Sequence, residues 1–197
     1  MGTPCSSFSV AHAPQLRSRR RPEGVEAVPP EWAAYLAKHN RLADWSAEVA
    51  VAALGAGAAF AIENPADRGE RDSPAFWGKF ADHAPIWQLP SFRKLAQRLG
   101  VTRYTFPQCA FGAEVQKWTS ILASGHFSAA LAPLGAASCT HERHAEVAWG
   151  RDQAGTARAG KAGAYPPELC ELLAGALEAA AVAEPGEGGG DAAGPTG

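Results

Sequence analysis

The sequence lacks several patterns that mark large classes of protein. Its four cysteines are widely scattered, and no apolar leader with a small-residue cleavage site precedes them. We therefore expect an intracellular protein with reduced thiols. The longest apolar run, residues 49–62, is rich in Ala and Gly and too short for a membrane-spanning helix. The net charge of -2 provides no global attraction to nucleic acid, so a polyanion contact would need a local basic patch.

One basic patch lies near the N-terminus and consists of Arg17, Arg19, Arg20 and Arg21. Because arginines can neutralise phosphates, the patch is a candidate nucleic-acid contact, which makes DNA a candidate partner and the nucleus a candidate location. A solvated, flexible basic loop explains the same residues. The sequence leaves both interpretations open.

The length and composition fit one domain, because 197 residues that are 46% hydrophobic can fill one core. Apolar residues recur at helical spacing from about residue 30 to residue 54, which predicts a long helix that begins at Pro30. The short apolar run at residues 59–62 predicts a buried strand. Asn64-Pro65 is expected to end it, since proline cannot donate to a ladder.

The second half of the chain contains further helix and strand signals. Ser91 is a candidate N-cap for a helix over residues 92–99. Strands are predicted at residues 101–106 and near residues 118–122, and they form a candidate pair. A last amphipathic helix opens at residues 165–167. This order of elements predicts an α/β layer sandwich.

Three motif-bearing segments occur along the chain in a specific order. The first contains Pro4-Cys5 followed by Phe8-Ser9, and the second is the strand that ends in Glu63-Asn64-Pro65. The third contains Gln108-Cys109, Lys117-Trp118-Thr119 and, further on, Tyr165-Pro166-Pro167. Together they resemble the DNA cytosine-5 methyltransferase family, in particular its divergent phage-type and retroelement-associated branch, over the C-terminal part that begins at the Pro-Cys motif.

The resemblance implies a fold and a division of the chain. The fold would be α/β, a partial class I methyltransferase or Rossmann-like three-layer sandwich that lacks its first strands. Residues 1–30 would form a motif-bearing N-terminal segment with the basic loop, and residues 31–183 the partial methyltransferase-like domain. Residues 184–197 are mostly Gly, Ala, Pro and acidic residues, so we expect a disordered tail.

The resemblance also implies catalytic roles for Cys5 and Glu63. The Cys5 thiolate would attack the cytosine ring, and the adduct's neighbouring carbon would then accept a methyl group. Nearby positive groups would have to lower the pKa of Cys5. Glu63 would protonate the ring nitrogen edge as the thiolate adds, on a base flipped out of the duplex. Residues that would support the motifs are Pro4, Ser9, Asn64, Pro65, Gln108, Lys117 and Thr119.

Each of these residues has an ordinary explanation as well. Cys5 can be a small exposed residue beside the N-terminus. Glu63 can form a salt bridge at the end of a strand, and Lys117 and Thr119 can belong to an ordinary strand edge.

A second candidate site is a loop with the ligand types for zinc. Cys139, His141 and His144 lie close together in the sequence, whereas Cys109 and Cys170 lie elsewhere. The spacing matches no standard zinc finger, and a polar surface loop is the alternative.

The methyl-donor site of the family has no counterpart in the sequence. The family binds S-adenosylmethionine at a Gly-rich loop that follows a strand, whereas the run Gly188-Gly189-Gly190 lies in the expected tail. We therefore expect a truncated methyltransferase-like domain that is inactive alone, or an enzyme completed by a partner chain that supplies the donor-binding half. A non-catalytic nucleic-acid or protein binding module on the same fold is the alternative.

Overall fold

The structure, a computed structural model, describes residues 1–144 and 146–182. Within them, short 3-10 helices occur at Ser6–Phe8, Gly78–Phe80, Ile86–Gln88 and Gln108–Phe111. The strands are β1 (Ala61–Pro65), β2 (Val101–Pro107), β3 (Val115–Gln116), β4 (Trp118–Ser124) and β5 (Glu146–Val147). The α-helices are α1 (Pro30–Gly55), α2 (Pro90–Ala96), α3 (Gly125–Ala130), α4 (Ala132–Ala136), α5 (Arg158–Lys161) and α6 (Pro167–Val182). The expected tail, residues 184–197, lies outside the described residues.

The main sheet has the strand order β1-β4-β2, with β4 antiparallel to both neighbours. Glu63 lies opposite Ile121, and Leu122 lies opposite Arg103. The predicted pairing of the strands near residues 101–106 and 118–122 is therefore confirmed. β3 and β5 form a separate two-stranded parallel ladder.

β1 continues one residue beyond the predicted stop, because Pro65 still pairs with Thr119. The N–H of Ala66 bonds to the Trp118 carbonyl on β4, whereas the N–H of Glu63 bonds outward to the Met1 carbonyl. Backbone donors alternate between the two sides of a strand, so Pro65 lacks its N–H on the outer side. The ladder with β4 loses no hydrogen bond there.

The outer edge of β1 is partly covered by the N-terminal segment. Gly2 forms a parallel bridge with Glu63, and the Met1 ammonium donates to the Ala61 carbonyl at 2.6 Å. The Asn64 side-chain amide, which is fully buried, donates to the Thr3 carbonyl at 3.0 Å. These contacts fix the backbone that leads to Cys5 against the end of β1.

Helices cover both faces of the sheet. On one face, Ile62 and Leu122 belong to a core with α1, α2 and the N-terminal Phe8. On the other, Ile121 and Phe106 pack with residues of α3, α4 and α6. The alternation of side chains along each strand explains why both faces are apolar. The α/β expectation is confirmed as a mixed α/β fold with an open antiparallel sheet.

Three buried hydroxyl side chains on β4 bond to neighbouring elements. Thr119 accepts a hydrogen bond from the Gln108 side-chain amide at 2.9 Å. Ser120 and Thr105 share a hydrogen bond at 2.7 Å. Ser124 accepts one from the backbone N–H of Phe60 at 3.2 Å. Buried hydroxyls need such partners, so the interior of this strand is polar without being unsatisfied.

The helix predictions hold with one correction. α1 begins at Pro30 and α6 at Pro167, as expected. Ser91 is not the N-cap of α2, because Leu89 precedes the helix and Pro90 takes its first position with a preset φ. Ser91 instead donates to the Asp44 carboxylate at 2.7 Å, which ties α2 to α1. Within the described residues, none of the helices combines the length and the apolar character needed to cross a bilayer.

Candidate active site at the end of the first strand

Cys5 and Glu63 lie on the same side of the molecule. This placement follows from the contacts at the edge of β1. Gly2 forms a parallel bridge with Glu63, and Cys5 lies three residues further along the same segment. The 3-10 helix Ser6–Phe8 begins directly after Cys5 and is closed by a 2.9 Å hydrogen bond from the Phe8 N–H to the Cys5 carbonyl. The Thr3 hydroxyl donates to Ser46 on α1 at 3.1 Å. The backbone is therefore fixed both before and after Cys5.

The electrostatic environment of Cys5 differs from the one expected for an activated thiol. Burial of the sulfur and the negative charge of Glu63 raise the pKa of Cys5, and the positive charge of Lys117 lowers it to a smaller extent. Although the Cys5 residue as a whole is exposed, the protein around its sulfur removes part of the water that would stabilise the thiolate. The expected cation is present, but its effect is outweighed. The resting thiol is protonated at neutral pH.

Glu63 has a carboxylate oxygen, Oε1, that is buried and accepts no hydrogen bond from the described residues. Tyr165 is a polar neighbour of Glu63 and lines the same groove. Burial, the charge of Glu63 and a hydrogen bond to Glu63 all raise the pKa of Tyr165, and Cys5 adds a smaller effect in the same direction. Glu63 thus acts on both Cys5 and Tyr165, which places the three residues in one site.

Lys117, Gln108 and Thr119 converge on the same site. The Gln108 backbone N–H donates to the Lys117 carbonyl at 2.8 Å, and its side chain bonds to Thr119. The Lys117 ammonium donates to the Ala162 carbonyl at 3.2 Å and lies 5.5 Å from the centre of the Tyr165 ring. These residues come from the ends of β2 and β4. The structure therefore brings together motif residues that are far apart in the sequence.

Two of the other motif residues, Ser9 and Pro65, have local structural contacts, and Pro4 is exposed. Ser9 accepts a hydrogen bond from the Ala11 N–H at 3.2 Å, within the turn that follows Cys5. The carbonyl of Pro65 accepts a hydrogen bond from the Trp87 indole at 2.8 Å. Pro4 is exposed immediately before Cys5, where its ring restricts the backbone.

Two grooves adjoin Tyr165. The first has a volume of about 330 Å³ and is lined by Met1, Gly2, Glu63 and apolar residues of β1 and α6. The second has a volume of about 380 Å³ and is lined by Gln108, Glu146 and the segment around Tyr165. Both volumes fall within the range of about 300 to 1,000 Å³ typical of small-molecule sites. Cys5 is not part of the lining of either groove.

The four arginines of the basic patch have different environments. Arg17 is 2% exposed and donates to the Ser7 and Pro22 carbonyls and to the Ser7 and Asn40 side chains. Its guanidinium also lies 3.8 Å from the centre of the Phe8 ring. The donors of Arg17 are therefore committed inside the protein, and it is not available to a phosphate.

Arg19 also has an internal partner, whereas Arg20 and Arg21 are exposed. Arg19 donates to both carboxylate oxygens of the buried Asp67, at 2.7 and 3.0 Å. Arg21 pairs with the exposed Glu26. An exposed pair of this kind contributes little to stability. Arg20 and Arg21 are the two members of the patch that remain accessible to a polyanion.

A group of four cysteine and histidine side chains forms a second site, here termed the Cys–His cluster. Its potential ligand atoms all lie within 4.8 Å of one another, and its members are Cys109, Cys139, His141 and His144. The Cys139 sulfur lies 3.0 Å from His144 Nε2 and 3.8 Å from His141 Nδ1. The Cys109 sulfur lies 3.8 Å from the same His144 nitrogen. This cluster could hold a metal ion.

The sequence names Tyr165 and Cys109 as candidate residues but does not show which residues they contact. Tyr165 precedes the prolines that open α6, which is a helix-start signal and carries no hint of a contact with Glu63. Cys109 is separated from Cys139 by 30 positions, so no short ligand spacing links them. Only the tertiary fold brings each of them to its partners.

Comparison of the chain with protein-family models, with curated proteins and with solved structures gave no significant match.

Proposed function

We propose that this chain carries the base-activating residues of a DNA (cytosine-5) methyltransferase-like domain. The observation that carries the proposal is the shared site of the Cys5 thiol and the Glu63 carboxylate, in which the charge of Glu63 acts on Cys5 beside β1. A cytosine ring would have to contact both groups at once. Residues on opposite sides of the molecule could not perform this chemistry.

The sheet supports a remnant of a class I methyltransferase fold. β1 and β2 are both antiparallel to β4, so they run in the same direction, and the Gly2 segment runs parallel to β1. Doubly wound folds include mixed sheets with helices on both faces, and here the antiparallel strand β4 lies between β1 and β2 in a sheet that helices cover on both faces. Further parallel strands would continue this sheet beyond the Gly2 bridge.

The chemistry assigned to the site is addition of the thiol to the ring. The Cys5 thiol would give its proton to the Glu63 carboxylate, and the resulting thiolate would form a bond to ring carbon 6 as the electron pair of the ring double bond shifts through carbon 5 towards the ring nitrogen. Glu63 would deliver a proton to the ring nitrogen, so the adduct carries no net charge change. The Lys117 ammonium favours the thiolate, because its charge lowers the pKa of Cys5.

S-adenosylmethionine would be supplied from outside the described residues. Within residues 1–144 and 146–182, no strand leads into a Gly-rich loop of the type that approaches a nucleotide-like donor. We therefore propose that methyl transfer needs a donor-binding half contributed by another segment or by a partner chain. Calorimetric titration of the full chain should detect no S-adenosylmethionine binding, and a micromolar affinity would contradict this part.

Exchange of the hydrogen at carbon 5 tests the thiol addition without a methyl donor. Reversible addition makes carbon 5 basic, so it takes a proton from water and releases its original hydrogen when the thiol leaves. DNA that contains 5-tritiated cytosine should release tritium with the full chain, and Cys5→Ser should abolish the release. Cys170→Ser, which changes another exposed cysteine, should leave it intact. Release that is absent, or equal in Cys5→Ser, would refute the proposed function.

A non-catalytic nucleic-acid binding module is a second candidate. The raised pKa of Cys5 favours it, because a protonated thiol is a poor nucleophile. This candidate requires DNA binding that weakens with salt, is indifferent to Cys5→Ser and decreases when Arg20 and Arg21 are both changed to Gln. DNA retention at low salt that is unaffected by these two changes would exclude the basic patch as its phosphate contact.

A further inference from the structure

The Cys–His cluster joins two segments that lie far apart in the sequence. Cys109 is buried within the 3-10 helix Gln108–Phe111, which follows β2. The other three members lie on the loop that follows α4, where Cys139 is half-buried and His141 is exposed. The cluster therefore lies at the surface with one side against the protein interior.

The separations within the cluster fit a tetrahedral metal ion. With bonds of about 2.3 Å to sulfur and about 2.0 Å to nitrogen, neighbouring ligand atoms of a zinc site lie about 3.3 to 3.8 Å apart. The cluster has separations of 3.0, 3.8 and 3.8 Å, and all of them are within 4.8 Å. The separations are therefore close to those of four ligand atoms around one ion.

The loop has little else to define its conformation. Among the described residues, every hydrogen bond of segment 138–144 involves the side chain of Cys139, His141 or His144. A polar loop of the ordinary kind is held by turns and backbone hydrogen bonds, whereas a metal-binding loop is held through its ligands.

We propose that the chain binds one structural Zn²⁺ ion through the four side chains of the Cys–His cluster. Two thiolates and two imidazoles form a donor set that suits zinc, and hard cations such as Mg²⁺ and Ca²⁺ prefer oxygen. Four protein ligands leave no open position for a substrate, so the role is structural. The ion links the loop to the turn that carries Gln108, and Gln108 lines the groove beside Tyr165.

Metal content of the full chain tests the proposal. We expect about one equivalent of zinc after purification with a reducing agent and Zn²⁺ but without chelator, because a structural site is filled nearly stoichiometrically. Co²⁺ in its place should give the absorption of a tetrahedral site with sulfur ligands. His141→Asn and Cys139→Ser change exposed or half-buried loop residues and should reduce the zinc content below about a tenth of an equivalent.

Matched controls separate the site from general effects on the fold. His126 and Cys170 are exposed and lie outside the cluster, so His126→Asn and Cys170→Ser should retain about one equivalent of zinc. Zinc should also slow the alkylation of Cys139 in the wild type and not in His141→Asn. The proposal is overturned if the wild type retains less than about a tenth of an equivalent. It is equally overturned by a disulfide between Cys109 and Cys139, or by cluster variants that bind zinc as the wild type does.

Discussion

Replacing Arg17 by alanine should strongly destabilise the protein. Its guanidinium is surrounded by protein and holds the turn that follows Cys5, through the Ser7 carbonyl at 3.2 Å and the Ser7 hydroxyl at 3.0 Å. It also joins this turn to the Pro22 carbonyl at 2.6 Å and to the Asn40 side chain on α1 at 2.7 Å. The substitution removes the common partner of all these groups.

The expected loss follows from the acceptors left behind. The Ser7 carbonyl, the Pro22 carbonyl and the Asn40 side-chain oxygen would each lose a charge-assisted donor, and a buried unsatisfied polar group costs about 1 to 3 kcal/mol. Contact with the Phe8 ring adds to this, whereas water that enters the space reduces it. We expect the free energy of unfolding to fall by about 2 to 4 kcal/mol. Arg17→Lys should lie between, since an ammonium cannot reach all the acceptors.

Urea unfolding of the wild type and of the single variants measures this loss. Arg20→Ala is the matched control, because Arg20 is an exposed residue of the same patch and should change the stability by less than about 0.5 kcal/mol. A loss of less than about 1 kcal/mol in Arg17→Ala would show that the buried contacts do not hold this segment. A DNA-binding test that neutralises the entire patch would confuse unfolding with lost phosphate contacts.

Three further outcomes follow from other contacts. Glu63→Gln should accelerate the alkylation of Cys5 by iodoacetamide at neutral pH, because the Glu63 charge raises the pKa of that thiol; a slower reaction would contradict the shared site. Asp67→Ala should lower the free energy of unfolding in urea by about 1 to 3 kcal/mol, since it leaves the buried Gly69 N–H without its acceptor and the partly exposed Arg19 without its ion pair, whereas the exposed Asp72→Ala should change it little. The stability should also fall as the pH drops below about 6.5, because burial lowers the pKa of His83 and the native state therefore binds fewer protons than the unfolded chain. His83→Gln should flatten this pH dependence in urea titrations, and an unchanged slope would assign it to other groups.

Secondary structure was predictable where a local pattern decides it. α1 and α6 begin at prolines, and the alternating runs of β2 and β4 pair as expected. The N-cap of α2 was not predictable, because both Pro90 and Ser91 are residues that often start helices. The helix begins at Pro90, whose φ is fixed near the helical value. Element existence followed from periodicity, whereas the boundary depended on which of two neighbouring signals prevailed.

The candidate sites were predictable in their residue types and not in their environments. The motifs point to Cys5 and Glu63, but the raised pKa of the thiol depends on its burial and on the position of the Glu63 charge, which no sequence pattern contains. The sequence presents Arg17 as part of an exposed patch, since arginine is rarely buried without partners. The carbonyl groups that accept its hydrogen bonds belong to a turn and a loop, whose conformations no sequence pattern predicts.

The buried hydroxyls of β4 determine how the site around Cys5 and Glu63 would respond to an insertion in this strand. Each hydroxyl forms a hydrogen bond with one specific group on another element. A shift of β4 by one residue would therefore break all three hydrogen bonds. Lys117 lies immediately before β4, on the face of the sheet that also carries Glu63. Lengthening the strand by a single residue would turn that cation to the opposite face and leave the thiol with the carboxylate alone.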